Sequence, residues 1–308
     1  MARRHAKRST SQILFYILSL LIVLSMAVGY VLIAAPASNS TPSPATPVPG
    51  RTVQPTAAPP TATALVPTIT PAPLPARPTA DAAAMQYSFA VIGDSQGNTD
   101  VYKALLKHVE ADGNAFLIHL GGIATIGAES EFQSWRETMA EFTLPFYTAP
   151  GATDLKSGSP ANYLAFTGTR GTRYSFDHGM VHFAVVDASR GYLTVEDSAW
   201  LDADLAGTQK AVKVVVLHSP PFDPDGSDQV MTRGNDAFVM MMKQRGVKYV
   251  FAGSVHAYDQ TLQDGVTYII SGGGGAPLSR SETDGGFYHY VRVSVNGADV
   301  QTEVRRLQ

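Results

Sequence analysis

The chain has 308 residues, 44% hydrophobic and 16% charged, with a formal net charge of -3, an ordinary balance for a globular domain with something attached. Every acidic residue lies at or after Asp81, while Arg3, Arg4, Lys7 and Arg8 crowd the start; the region beyond residue 82 is therefore net acidic, which excludes a nucleic-acid grip built on clustered Lys and Arg. The lack of cysteine excludes a disulfide framework, a thiolate metal site and a Cys nucleophile.

Residues 1–12 read as a basic cytoplasmic tail. Residues 13–35 form a run of 23 without a charge, rich in Leu, Ile and Val, and at about 1.5 Å per residue such a helix spans a hydrocarbon core of roughly 30 Å. With the basic cluster held inside, everything after the run is expected outside the membrane. A retained signal anchor is the favoured reading, because the run exceeds the roughly 7 to 15 residues of a signal-peptide core; the small residues Ala34, Ala35 and Ala37 keep a cleaved signal as the alternative. Residues 36–85 form a Pro/Thr/Ala-rich linker holding 13 of the 20 prolines. It has too few large apolar side chains to offset its ordering entropy, and at roughly 3 Å per residue it would reach about 140 Å if fully extended.

Residues 86–308 are enough for one domain with a sizeable core. The patterning predicts a strand at 87–92 and a helix over 99–110 with Val101, Leu105, Leu106 and Val109 on one face. A strand follows at 115–120, then a helix presenting Phe132, Trp135, Met139 and Phe142, then a short strand at 145–148. Two β-rich runs, 173–176 and 181–187, are joined by Asp177, His178 and Gly179 as a hairpin. After a helix carrying Trp200, Leu201 and Leu205 come buried strands at 212–217, 249–252 and 267–270. A closing hairpin spans 288–295 and 299–305. The order implies a layered α/β sandwich rather than an all-parallel sheet.

In such folds chemistry sits just past strand C-termini. Asp94 follows the first strand within Gly93-Asp94-Ser95-Gln96-Gly97, His218 follows the strand ending at Leu217, and His256 lies past the strand ending at Ala252. Two imidazoles and a carboxylate from separate strand ends can hold a divalent metal, although each alone is more commonly a turn, a cap or a core residue.

The runs Phe89-Ala90-Val91-Ile92-Gly93-Asp94, Ile118-His119-Leu120-Gly121-Gly122 and Ala149-Pro150-Gly151-Ala152-Thr153-Asp154 are followed by Tyr174-Ser175-Phe176-Asp177 with Val181-His182-Phe183, and by Leu217-His218-Ser219-Pro220-Pro221. Gly253-Ser254-Val255-His256-Ala257-Tyr258 and the segment from Tyr268 through Gly272-Gly273-Gly274-Gly275 to Pro277 complete the series. In order and spacing the chain resembles the calcineurin-like metallophosphoesterases, particularly their purple-acid-phosphatase-like branch, over nearly all of 87–305. The resemblance implies an α/β/β/α sandwich and a two-metal site, in which a bridging carboxylate and flanking ligands hold two cations about 3.5 to 4 Å apart to activate water.

Against that pattern this chain is depleted. Asp94, His218 and His256 match ligands, but the family's histidine two residues after the first aspartate is Gln96. Its bridging aspartate falls on Gly122, its asparagine ligand on Ala152, its leaving-group histidine on Thr153, and the first histidine of Gly-His-x-His on Ser254. Without a shared carboxylate two dications repel at close range, so a metal pair is not expected. The remnant set Asp94, Gln96, His218 and His256 is left to hold at most one divalent ion (Mn, Fe or Zn) weakly. The preferred reading is a catalytically impaired pseudoenzyme serving as a surface binding module for an unidentified ligand or protein. The alternatives are a weak single-metal phosphoesterase, with His218 as its catalytic group, and a purely structural display domain.

Other candidates carry plainer readings. Asp223, Asp225 and Asp228 do not fit a twelve-residue calcium loop and read as a solvated turn. Gly272 to Gly275 lacks the Lys and Ser/Thr of a nucleotide loop and reads as a tight turn. Ser219 and Ser254 sit on no Gly-x-Ser-x-Gly elbow. Tyr258 and His182 read as packing or supporting residues, and His119 as a residue of the interior.

Overall fold

The computed structural model describes residues 85–156 and 159–308; the expected anchor at 13–35 and the linker at 36–84 lie outside the described residues. In chain order the elements are β1 (Gln86–Ile92), α1 (Thr99–Ala111), β2 (Leu117–His119), α2 (Glu129–Met139), β3 (Phe146–Thr148), α3 (Ala161–Thr167), β4 (Tyr174–His178) and β5 (Val181–Val185). They continue with α4 (Val195–Gly207), β6 (Val212–Val216), α5 (Asn235–Gln244), β7 (Tyr249–Ala252), β8 (Tyr258–Gln263), β9 (Val266–Ser271), β10 (His289–Asn296) and β11 (Asp299–Arg306).

Strand alternation builds the layers. In β1, Phe89 and Val91 face one hydrophobic cluster while Ala90 and Ile92 face another. The same switch separates Val214 and Val216 from Val215 in β6, and Tyr249 and Phe251 from Val250 and Ala252 in β7. Period-two side chains thus make each sheet apolar on both faces, which suits burial between a second sheet and a helical layer. One sheet runs β11-β10-β1-β2-β3 and the other β4-β5-β6-β7-β9-β8. Between them Phe89 stacks on Phe116 at 5.0 Å and Phe176 on Phe183 at 4.7 Å, large apolar areas that contribute much of the core energy. Helices α1, α2 and α3 cover the first sheet through Leu105, Phe132 and Tyr163, and α4 and α5 cover the second through Leu201, Phe238 and Met242. This is the expected α/β/β/α sandwich.

Within the first sheet β1 pairs in parallel with β2, aligning Ile92 with His119, and β2 with β3, aligning His119 with Thr148. Within the second, β5, β6 and β7 are parallel neighbours. The loops that leave β1, β2, β3, β6 and β7 are those that carry the candidate residues.

Four local expectations change. The hairpin turn is Gly179 and Met180, because Asp177 and His178 stay in register opposite His182 and Val181, where Asp177 also bonds the His182 ring. Helix α2 ends at Met139, leaving Phe142 to pack just beyond it. Helices α3 and α5 were not anticipated: the first has 7 residues, too few for a periodic signal, and the second buries only Phe238 and Met242 within an unbroken apolar run. Strand β8 was also missed, being a polar edge strand with exposed Gln260, Leu262 and Gln263.

Candidate functional site

The first loop turns sharply after Gly93. Asp94 adopts φ +58, a left-handed conformation that aspartate tolerates better than most residues. It is held there on three sides: its N–H donates to Gly121 O at 2.9 Å, its carbonyl accepts from Ala276 N at 2.9 Å, and the Gly274 N–H reaches Gly93 O at 2.9 Å. A side chain on Gly274 would overlap that same Gly93 carbonyl. The run from Gly272 to Gly275 is therefore a close backbone seam against the Asp94 loop, as its composition implied, and the Gly272 and Gly274 N–H groups are already used.

Asp94 is 1% exposed. Its Oδ2 accepts from the Ser254 N–H at 2.9 Å, and its Oδ1 lies 3.7 Å from His256 Nε2. Ser254, at the position of the missing histidine, itself stands at φ +69 and serves through its backbone. Burial pushes the Asp94 carboxyl above the ordinary aspartate value, while His218, His256, the Ser254 N–H and the Gln96 amide pull it back.

The two histidines are prepared alike. His218 Nδ1 is 2.8 Å from Leu120 O and His256 Nδ1 is 2.9 Å from Pro277 O. A carbonyl only accepts, so in each ring Nδ1 carries the proton and a neutral ring keeps its lone pair on Nε2, the arrangement that suits metal ligation.

Gly122 decides what this pocket can hold. It stands at φ +70, and a Cβ there would collide with Asp94 Oδ1 and sit 2.8 Å from Gln96 Oε1. A side chain at this position would thus have to displace the oxygens of Asp94 and Gln96. Gln96 Oε1 is buried and has no hydrogen-bond partner, and Thr153 Oγ1 is in the same state; Ala152 lies exposed at the rim. Among the described residues no three His, Asp or Glu side chains form a metal-holding group. The residues present therefore do not fit two cations: glycine at 122 offers no carboxylate to share between them.

Asp154 is the residue that sequence reasoning passed over. It is 0% exposed and accepts from Gly122 N at 3.0 Å, from Ile123 N and Ala124 N at 2.8 Å, and from Gly151 N at 2.8 Å. One carboxylate thereby ties the loop after β2 to the loop after β3. Burial pushes its carboxyl upward, opposed by those N–H groups and by His218. Its presence in the motif run was visible, but nothing in the residue order distinguishes a buried cradle from a turn.

The acidic loop is corrected as well. Asp223 is not part of a solvated turn: its buried carboxylate pairs with Arg280, which also binds Asp225 at 2.7 Å. That clamp joins the segment after His218 to the segment following Pro277, the acceptor of His256; Asp228 is exposed. Ser219 Oγ donates to Ala188 O at 3.1 Å. His182 bridges Asp177 at 2.7 Å and Asp204 at 2.8 Å, fastening the β4–β5 hairpin to α4, and Tyr258 packs on Phe287 and His289. His119 is interior as expected, accepting from Gly121 N at 3.2 Å and facing Ser95 Oγ at 3.0 Å.

A family model described as calcineurin-like phosphoesterase matches residues 87–258. Purple acid phosphatase 23 of Arabidopsis thaliana is 36% identical over 115 residues, 33% of this chain and 25% of that protein, so the chain spans about a quarter of the plant relative's length. Among solved structures, a purple acid phosphatase from yellow lupin shares the fold with a TM-score of 0.58 at 16% identity, over 72% of this chain and 51% of that one. GAP50, the anchor in the inner membrane complex of Plasmodium, does so with a TM-score of 0.60 at 13% identity, over 72% and 85%.

Proposed function

The chain belongs to the calcineurin-like phosphoesterase family, and we propose that it is a membrane-anchored, extracytoplasmic member that has kept the fold, has lost or nearly lost hydrolysis, and serves as a binding module. The observation that carries this reading is Gly122, which has no carboxylate and where even a Cβ would meet the oxygens of Asp94 and Gln96. Two-metal catalysis needs one cation to activate the attacking water and one to compensate the leaving oxygen, and Gly122 offers no carboxylate to hold such a pair together. Thr153 supplies no imidazole for acid–base work near neutral pH. The basic tail and the apolar run at 13–35 support the membrane attachment. A protein of the same fold is described as the anchor in the inner membrane complex of Plasmodium.

A single-cation phosphoesterase is the second reading, favoured by the unpartnered Gln96 Oε1 beside Asp94 Oδ1. Asp94, Gln96 and His256 would hold the ion, and His218 would face the substrate. A bound divalent ion supplies a Lewis acid and a more acidic water. The protein's own contribution is to keep both imidazoles on their Nδ1–H tautomer through Leu120 O and Pro277 O.

The test is hydrolysis of an activated aryl phosphate monoester and diester with Mn, Fe or Zn ions. The expected rate is no faster than that of the variant carrying Asp94→Ala, His218→Ala and His256→Ala, since removal of one outer-shell partner alone typically costs about 10 to 100-fold at a metal site. Metal-dependent turnover that vanishes in the triple variant would establish the second reading instead.

A further inference from the structure

The helix-bearing face of the first sheet is left open at the start of β1, the end of that strand away from the Asp94 loop. Val291, Val293 and Val295 of β10 point into the core between the sheets, so Tyr290, Arg292 and Ser294 point to the opposite face. Tyr290 joins the hydrophobic cluster under α1. Helix α1 ends at Ala111, and past that end a cleft of about 430 Å³ is lined by Gly113 and by polar side chains of β1, β10 and β11.

Arg292 is the cation of this cleft, and it has no carboxylate partner among the described residues. Glu303 stands directly opposite it on β11, yet Glu303 pairs with Arg305 Nη1 at 3.2 Å. The other nearby carboxylate, Asp112, takes Arg305 Nε at 3.3 Å and the Tyr290 hydroxyl. Arg305 thus occupies both acids that could neutralise Arg292. The hydrogen bonds of the Arg292 side chain among the described residues both leave from Nη2, to Ser88 Oγ at 3.2 Å and Asp112 O at 3.1 Å, and its Nε is buried without a partner. Ser88 is 7% exposed; its hydroxyl accepts that bond and donates none among the described residues. An uncompensated guanidinium beside a buried hydroxyl is a seat for an oxyanion.

The rest of the cleft selects which oxyanion. Asp299 lies opposite Asn296, four residues along β10 from Arg292 or about 13 Å, and a carboxylate at that distance disfavours a multiply charged phosphate. The carboxamides of Gln86, Asn296 and Gln301 also line the cleft, and each both donates and accepts, as a peptide group does. We infer that this cleft binds the C-terminal carboxylate of a peptide, held by Arg292 and Ser88, with the carboxamides pairing the peptide backbone.

The experiment is calorimetric titration of the full-length protein with tri-alanine, with tri-alanine amide and with inorganic phosphate. Tri-alanine is expected to bind, and the amide at least tenfold more weakly, a comparison that reads the need for a carboxylate without altering the protein. Arg292→Gln should lower the affinity for tri-alanine at least tenfold, with its melting temperature reporting whether the fold survives. No binding of tri-alanine, equal binding of the amide, tighter binding of phosphate, or undiminished affinity in a folded Arg292→Gln protein would overturn the inference. The cleft shares no residue with the Asp94 pocket and the measurement uses no metal, so its failure leaves the reading of that pocket untouched.

Discussion

Asp154 and Asp94 are both buried carboxylates on neighbouring loops, yet the protein solvates them to opposite extents. Asp154 accepts from four backbone N–H groups spread over two loops. Asp94 has one backbone donor, on Oδ2, and the His256 ring stands 3.7 Å from its Oδ1. The difference separates the frame of the site from its chemistry. Bonds that hold the loops in place are complete within the protein, whereas the atoms that would meet a ligand are incomplete.

The largest effect that can break this contrast is on stability. Asp154→Ala strands four buried N–H groups and should cost about 3 to 5 kcal/mol in urea unfolding. Asp94→Asn keeps a residue tolerant of the left-handed backbone and removes a poorly solvated charge, so its effect should stay within about 1 kcal/mol. If Asp94→Asn proved the more damaging, the division between frame and chemistry would be wrong.

Next comes reversion at the bridge. Gly122→Asp places a Cβ against Asp94 Oδ1 at a backbone φ of +70; conformational strain and overpacking together should cost about 2 to 3 kcal/mol. It should also fail to create tight binding of two metals, because Gln96, Ala152 and Ser254 remain. A stable Gly122→Asp protein that binds two ions would show that the pocket opens more readily than its packing indicates.

The layers and most strands were legible because alternating apolar residues report strand faces directly, as Phe89 and Val91 against Ala90 and Ile92 illustrate. Helix α5 was not, since Met240, Met241 and Met242 blur the helical period, and β8 was not, since a polar edge strand lacks a buried face. At the site, the residues themselves were legible and their bonding was not. That Asp154 gathers four N–H groups, or that Asp223 is covered by Arg280, depends on loops 30 to 57 residues apart meeting in space. No local pattern encodes such meetings.

The smallest expected effect concerns pH and contrasts buried with bridged imidazoles. Burial pushes His119 down to about 3 and His289 down to about 4, below the ordinary value of about 6.5. Their stability is complete above that value and is lost as pH falls from about 6.5 toward 4 and 3, since the unfolded chain then binds the protons. His182 behaves oppositely: burial pulls it down, but Asp204 and Asp177 outweigh burial and hold it above the ordinary value. Its contribution is full below about 6.5 and fades as pH rises through its raised folded value. Melting temperature against pH should therefore fall on the acid side in both wild type and Asp204→Asn. On the alkaline side wild type should lose a few degrees that Asp204→Asn does not; parallel alkaline limbs would remove His182 from this role.

The most direct test is metal stoichiometry. The protein is incubated in turn with Mn, Fe and Zn ions, desalted, and analysed for bound metal per chain. The missing carboxylate at Gly122 predicts fewer than two ions per chain with every metal, and no change in that upper limit when Gln96 is replaced by Ala. Two tightly held ions per chain, lost on replacing Asp94 and His218, would contradict it.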